Sequence, residues 1–159
     1  MKFDLDKKSN SGEWFTYFNI KTDDDGENKR YIFSQDEEED KFCIRKPDQD
    51  LFDKIERECQ TKRTDQVFNK KTHKMERQTY YLDQTPEQKQ KQLELMADWT
   101  FVDWTATDKN GEKIPLTIEN KVKMMKLKNA EVDMDAFVVE CWKMKSEAEA
   151  REKEERAKN

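Results

Sequence analysis

Residues Asp98 to Lys121 read DWTFVDWTATDKNGEKIPLTIENK. Two tryptophans, Trp99 and Trp104, flank the apolar pair Phe101-Val102. The polar run Asp108-Lys109-Asn110-Gly111 follows and has turn composition, because Asn and Gly tolerate the left-handed backbone that turns use. After Ile114-Pro115-Leu116, Thr117 opens a helical pattern with Glu119 in its first turn, where a carboxylate suits the helix dipole. In a chain that is only 33% hydrophobic, this is the densest apolar cluster and the expected meeting point of elements.

Upstream, Thr85-Pro86-Glu87-Gln88 has the pattern of a capping box with proline at the first helical position. The spacing of Leu93, Met96, Ala97, Thr100 and Trp104 predicts a helix from Pro86 to about Trp104. Residues 61–82 leave strand and helix both open. Val67-Phe68, the polar link Asn69 to His73, and Tyr80-Tyr81-Leu82 fit a second hairpin. Asp48 reads as an N-cap for a helix with Leu51, Phe52, Ile55 and Cys59 on one stripe. Further back, the aromatic and β-branched run Glu13 to Ile20, with Trp14, Thr16 and Phe18 on one side, predicts a strand. A turn at Asp23–Asn28 and a short strand Tyr31-Ile32-Phe33 complete a hairpin, and a third strand covers Phe42 to Arg45.

Downstream of Lys121, Ile118, Val122, Met125 and Leu127 belong to one helix. After a break near Lys128-Asn129, a last helix starts near Asp133 with Met134, Phe137, Val138, Cys141 and Trp142 at helical spacing. Apolar content vanishes from Ser146. The expected architecture is α+β, an N-terminal β-hairpin or small antiparallel sheet followed by a mainly helical C-terminal half. Its parts are a flexible segment 1–12, one domain 13–145 (β-rich 13–47, mainly helical 48–145), and a charged helical or frayed tail 146–159. The aromatic group Trp99, Phe101 and Trp104 is expected to join the stripe of Phe137, Cys141 and Trp142.

The charge balance constrains function. Lys and Arg number 31 against 36 Asp and Glu, net −5, which disfavours a generic nucleic-acid binder. No apolar run approaches the ~20 residues of a membrane span, and residues 1–5 lack a secretory apolar region. Three cysteines without C-x-x-C spacing fit buried thiols in a reducing compartment. His73, the sole histidine, lies in a lysine-rich link and reads as a surface residue. An EF-hand fails at both aspartate-rich turns. With Gly26 at the sixth position, Lys21 and Ile32 stand where oxygen donors are required; with Gly111, Ala106 and Thr117 do. The acidic run Asp36 to Asp40 reads as a solvated loop. No catalytic motif, metal site or cofactor is expected. Trp99, Trp104, Met124, Met125 and Trp142 are candidate partner-binding residues, with core packing as the competing use of the same side chains.

Certain of these residues carry a resemblance. Phe42-Cys43-Ile44-Arg45-x-Pro47, Val102-Asp103-Trp104, and the run Asp108-x-Asn110-Gly111-x-x-Ile114-Pro115-Leu116-Thr117-x-Glu119-Asn120-Lys121, with a closing helix bearing Phe137-Val138, resemble the small tail proteins of siphophages and prophages called tail assembly chaperones. The resemblance covers about residues 42–145, with Asn110 replacing the second Asp of a D-x-D-G-like turn. It implies a non-enzymatic protein of the host cytoplasm, without cofactor, that binds the tape-measure protein and tail-tube subunits. Self-association is left open. The competing expectations are a structural tail subunit retained in the virion and an acidic host-directed inhibitor.

Overall fold

A computed structural model describes residues 11–26, 28–33 and 40–158. The chain is α+β and divides into two compact units, residues 1–46 with 97–159, and 47–96. The boundary between Lys46 and Pro47 falls where the sequence shifts from β-rich to helical.

In the first unit, β1 (Glu13–Thr16), β4 (Lys41–Ile44) and β7 (Phe101–Trp104) form an antiparallel sheet in the order β1-β4-β7. β2 (Phe18–Thr22) and β3 (Lys29–Phe33) form a separate hairpin, with Phe18 opposite Phe33. The run Glu13 to Ile20 is thus two strands. It breaks at Tyr17, whose N–H donates to the Asp40 carbonyl at 2.8 Å, and each half pairs with a different partner. Of the acidic run, residues 36–39 lie outside the described residues, as does most of the segment 1–12.

The sheet packs against α4 (Met134–Lys158), with α3 (Ile118–Met125) completing the layer. Phe42, Ile44, Phe101, Trp104, Met134, Phe137, Val138 and Cys141 form one buried cluster. Its rings meet edge-on or tilted: Phe101–Trp104 at 5.5 Å, Phe42–Phe137 at 5.7 Å, Phe18–Phe137 at 5.0 Å between centroids. Such pairs add about 0.5–1.5 kcal/mol to the area they bury. The predicted union of Phe101 and Trp104 with Phe137 and Cys141 is present, and Trp142 packs on its margin. Trp99 lies outside it.

Two charged groups, Glu140 and Lys121, are buried beside this core. Glu140 accepts from Tyr31 Oη at 2.7 Å and from Lys29 Nζ at 3.3 Å, tying α4 to β3. Burial pushes its carboxyl up, but these hydrogen bonds outweigh it and hold Glu140 below the usual carboxylate range. Lys121 pairs with Asp98 at 2.9 Å.

The helix ending at Trp104 needs correction. α2 (Pro86–Thr100) stops at Thr100, and Phe101 to Trp104 is extended and paired with β4. The 3.6-residue stripe continued numerically through Trp104, but Phe101-Val102 are β-favouring, and an open strand edge on β4 offered their backbone a ladder. Thr105 N–H extends that pairing to the Lys41 carbonyl at 2.9 Å. Charged residues from Glu147 onward continue α4 as an exposed helix to Lys158, in place of a frayed tail.

The second unit holds α1 (Gln49–Cys59), β5 (Lys62–Asn69), β6 (Lys74–Tyr81) and the greater part of α2. Asp48 caps α1 by accepting from Leu51 N–H at 3.1 Å, and Leu51, Ile55 and Cys59 are buried. Thr85 and Gln88 form the reciprocal capping box, at 3.0 and 3.1 Å. Gln84 donates to the Cys59 carbonyl at 3.0 Å and to Gln92 at 2.6 Å, joining the helices of this unit. Residues 62–69 and 74–81 are strands, so the stretch expected to be mainly helical contains a ribbon of two eight-residue strands.

Candidate functional site

Of the five candidate partner-binding residues, two are core. Trp104 is fully buried, and its Nε1–H donates to the Ile114 carbonyl at 2.8 Å. Met124 is buried in the same cluster, and Met125 packs half-buried against it. Trp99 and Trp142 are half-buried and serve the backbone. Trp99 Nε1–H donates to the Lys46 carbonyl at 2.9 Å, and Trp142 Nε1–H to the Arg45 carbonyl at 3.2 Å. The Arg45 guanidinium stacks 3.8 Å over the Trp99 ring and donates to the Trp99 carbonyl at 2.9 Å. A cation over an indole contributes about 0.5–2 kcal/mol. These aromatics pin the end of β4, and Trp104 and Met124 take the core-packing alternative of their two readings.

The exposed apolar surface is elsewhere, on the β5–β6 ribbon. Every residue of β6 is exposed, and of β5 only Asp65 and Asn69 are half-buried. Phe68 is 52% and Met75 59% exposed, and Val67, Tyr80 and Tyr81 are exposed as well. The register sets what each face carries. Phe68 lies opposite Met75, Gln66 opposite Arg77, Thr64 opposite Thr79, and Lys62 opposite Tyr81. Alternation places these on one face, and the Thr64–Thr79 hydroxyl contact at 3.1 Å matches that assignment.

The ribbon is held at both ends. At its base, Glu56 of α1 accepts from Tyr81 Oη at 2.8 Å and pairs with Lys62. Lys62 foremost, then Tyr81, holds the Glu56 carboxyl below its ordinary range, and the same contact raises the Tyr81 phenol. At its tip, Asn69 Oδ1 accepts from the N–H of Lys71 at 2.9 Å, and His73 adopts the left-handed backbone (φ 55°) that closes the loop onto the Asn69 carbonyl. His73 also meets the Phe68 ring at 6.3 Å.

The three thiols are buried, and burial raises each of them, Cys141 most, which works against thiolate chemistry. Among the described residues, no group of three or more His, Cys, Asp or Glu is placed to hold a metal ion. No helix among them is long and apolar enough to cross a membrane.

Sequence reasoning passed over Phe68, Met75, Arg77 and Tyr81 as exposed surface residues. The available signal was that both faces of the hairpin carry apolar side chains, more than one layer of core can cover. Comparison with protein-family models, with curated proteins and with solved structures finds no match.

Proposed function

We propose that this chain is a non-enzymatic phage or prophage tail protein, an assembly chaperone that works in the host cytoplasm by holding the tape-measure protein and tail-tube subunits. The observation that supports a binding role is the β5–β6 ribbon, which displays Phe68, Met75 and Tyr81 to solvent on a scaffold anchored through Glu56. Aromatic residues, Met and Arg are the types enriched in the centres of protein interfaces. The tail assignment itself rests on the sequence resemblance over residues 42–145.

A chaperone of this kind leaves the product, whereas a tail subunit stays in it. Co-expression with the neighbouring tail genes, affinity purification and light scattering test the reading, together with analysis of purified particles. A stable complex with a long helical protein, and absence from finished particles, is the expected outcome. Recovery at fixed copy number in particles would move the chain to the structural reading. Finding neither would remove the tail role.

A further inference from the structure

We infer that the ribbon face bearing Phe68, Met75, Arg77 and Tyr81 docks a polypeptide segment that presents apolar side chains and carboxylates together on one face. The inference rests on the reading of the chain as a protein binder but not on the tail assignment.

The ribbon is cationic within an acidic chain. Lys62, Arg63, Lys70, Lys71, Lys74 and Arg77 stand against Asp65 and Glu76, while the whole chain carries net −5. Both of those carboxylates project on the opposite face, since Asp65 pairs across to Gln78 and Glu76 to Val67. They are also already engaged. Asp65 meets Arg63 at 3.4 Å and accepts from Tyr80, and Glu76 accepts from Asn69 at 3.0 Å. The Phe68–Met75 face thus has no carboxylate of its own. Only Lys62, at its base, is matched, by Glu56. Arg77 and the tip residues Lys70 and Lys71 form no ion pair among the described residues, and Lys70 and Lys71 flank the tip beside Phe68.

Charge decides between occupants. A second ribbon laid face to face would bring further cations and no carboxylate to a face that already lacks one, and like charges repel. A nucleic acid would match the cations but leave Phe68 and Met75 facing phosphates, and it would approach a chain with an excess of carboxylates. A segment with both apolar and acidic side chains satisfies both features. It covers the apolar pair and neutralises Arg77 and the tip lysines.

The test uses the full chain and a labelled amphipathic peptide of Leu and Glu, followed by fluorescence anisotropy. The same peptide with Lys in place of Glu and a random-sequence DNA duplex serve as comparison ligands. The Leu–Glu peptide is expected to bind, more weakly as salt rises, and the Leu–Lys peptide and the duplex are expected not to. Arg77→Glu should weaken binding about tenfold or more, equivalent to roughly 1.4 kcal/mol. Lys74→Glu makes the same charge change on the opposite face and should weaken it less than about threefold. A circular dichroism melt confirms that both variants keep the fold.

Equal binding of the two peptides would overturn the acidic preference while leaving a protein-binding ribbon. Binding of the duplex alone would overturn the protein-binding reading of this surface. Equal losses in the two variants would overturn the assignment to one face, and failure of the Leu–Glu peptide to bind at about 1 mM would overturn the inference outright.

Discussion

The sheet β1-β4-β7 and the ribbon β5-β6 are built from a similar alphabet and meet opposite fates. In the sheet, Phe42, Ile44, Phe101 and Trp104 are at most 3% exposed. In the ribbon, no residue is buried. The difference is a second layer. The sheet lies under α4, whose Met134, Phe137, Val138 and Cys141 sit in its cluster, whereas among the described residues the ribbon has neither a third strand nor a cover on its Phe68–Met75 face. An isolated two-stranded ribbon is marginal in water. This one is retained through its contacts at Glu56 and through the turn at Asn69–His73. Aromatic strand sequence therefore specifies pairing, and the availability of a facing helix decides whether the pair becomes core or display.

The largest expected effect breaks the buried side. Trp104→Ala should cost about 3–5 kcal/mol in urea unfolding, because it empties a fully buried site and leaves the Ile114 carbonyl without its donor. A loss under about 1 kcal/mol would mean that the layer is not the source of stability.

Next comes the polar lock between α4 and β3. Glu140→Ala should cost about 1–3 kcal/mol by removing the hydrogen bonds that the carboxylate accepts from Tyr31 and Lys29. The pH dependence has a definite sign. The folded-state Glu140 carboxyl titrates below its ordinary value, so its contribution is complete above the ordinary carboxylate range and is lost as pH falls through the folded value. Melting temperatures taken from neutral pH to about pH 3 should fall less steeply for Glu140→Gln than for the parent chain. Parallel slopes would remove Glu140 from the acid response.

Smaller again is the cap. Thr85→Ala should lower stability by about 0.5–2 kcal/mol in the second unit, read from loss of helical ellipticity on heating. The smallest effect belongs to the ribbon surface. Phe68→Ser with Met75→Ser should shift stability by no more than about 0.5 kcal/mol per site, because both side chains already face water. A loss comparable to that of Trp104→Ala would erase the contrast between core and display.

What could be read from the sequence was local. The caps at Asp48, Thr85 and Thr117 involve partners three residues away, and all three form. The turn at Asp108–Gly111 is equally self-contained, with Asp108 Oδ1 accepting from Asn110 N–H at 2.8 Å. What could not be read depended on distant partners. Phe101 to Trp104 leaves the helix because β4, more than fifty residues earlier, supplies a pairing edge. The packing of Trp104 with Phe137 and Cys141 was legible from their apolar spacing, whereas Met124 becomes core through contacts that its own neighbourhood does not encode. The hairpin at 61–82 was half legible. A hairpin was one of the two readings left open there, but its exposure follows from the lack of a covering element among the described residues, which no local pattern reports.

All four tryptophans, Trp14, Trp99, Trp104 and Trp142, belong to the first unit, and the second unit has none. Indole emission is therefore an optical label for one half of the molecule, supplied by the native chain. Tyr80 and Tyr81, absorbing at shorter wavelength, belong to the other half. Unfolding followed at the indole wavelength and by backbone ellipticity should superimpose if the two units melt as one cooperative body, and should separate if each has its own midpoint. The indoles that anchor the β4 backbone thus give a wavelength at which the helix-backed sheet can be followed apart from the ribbon.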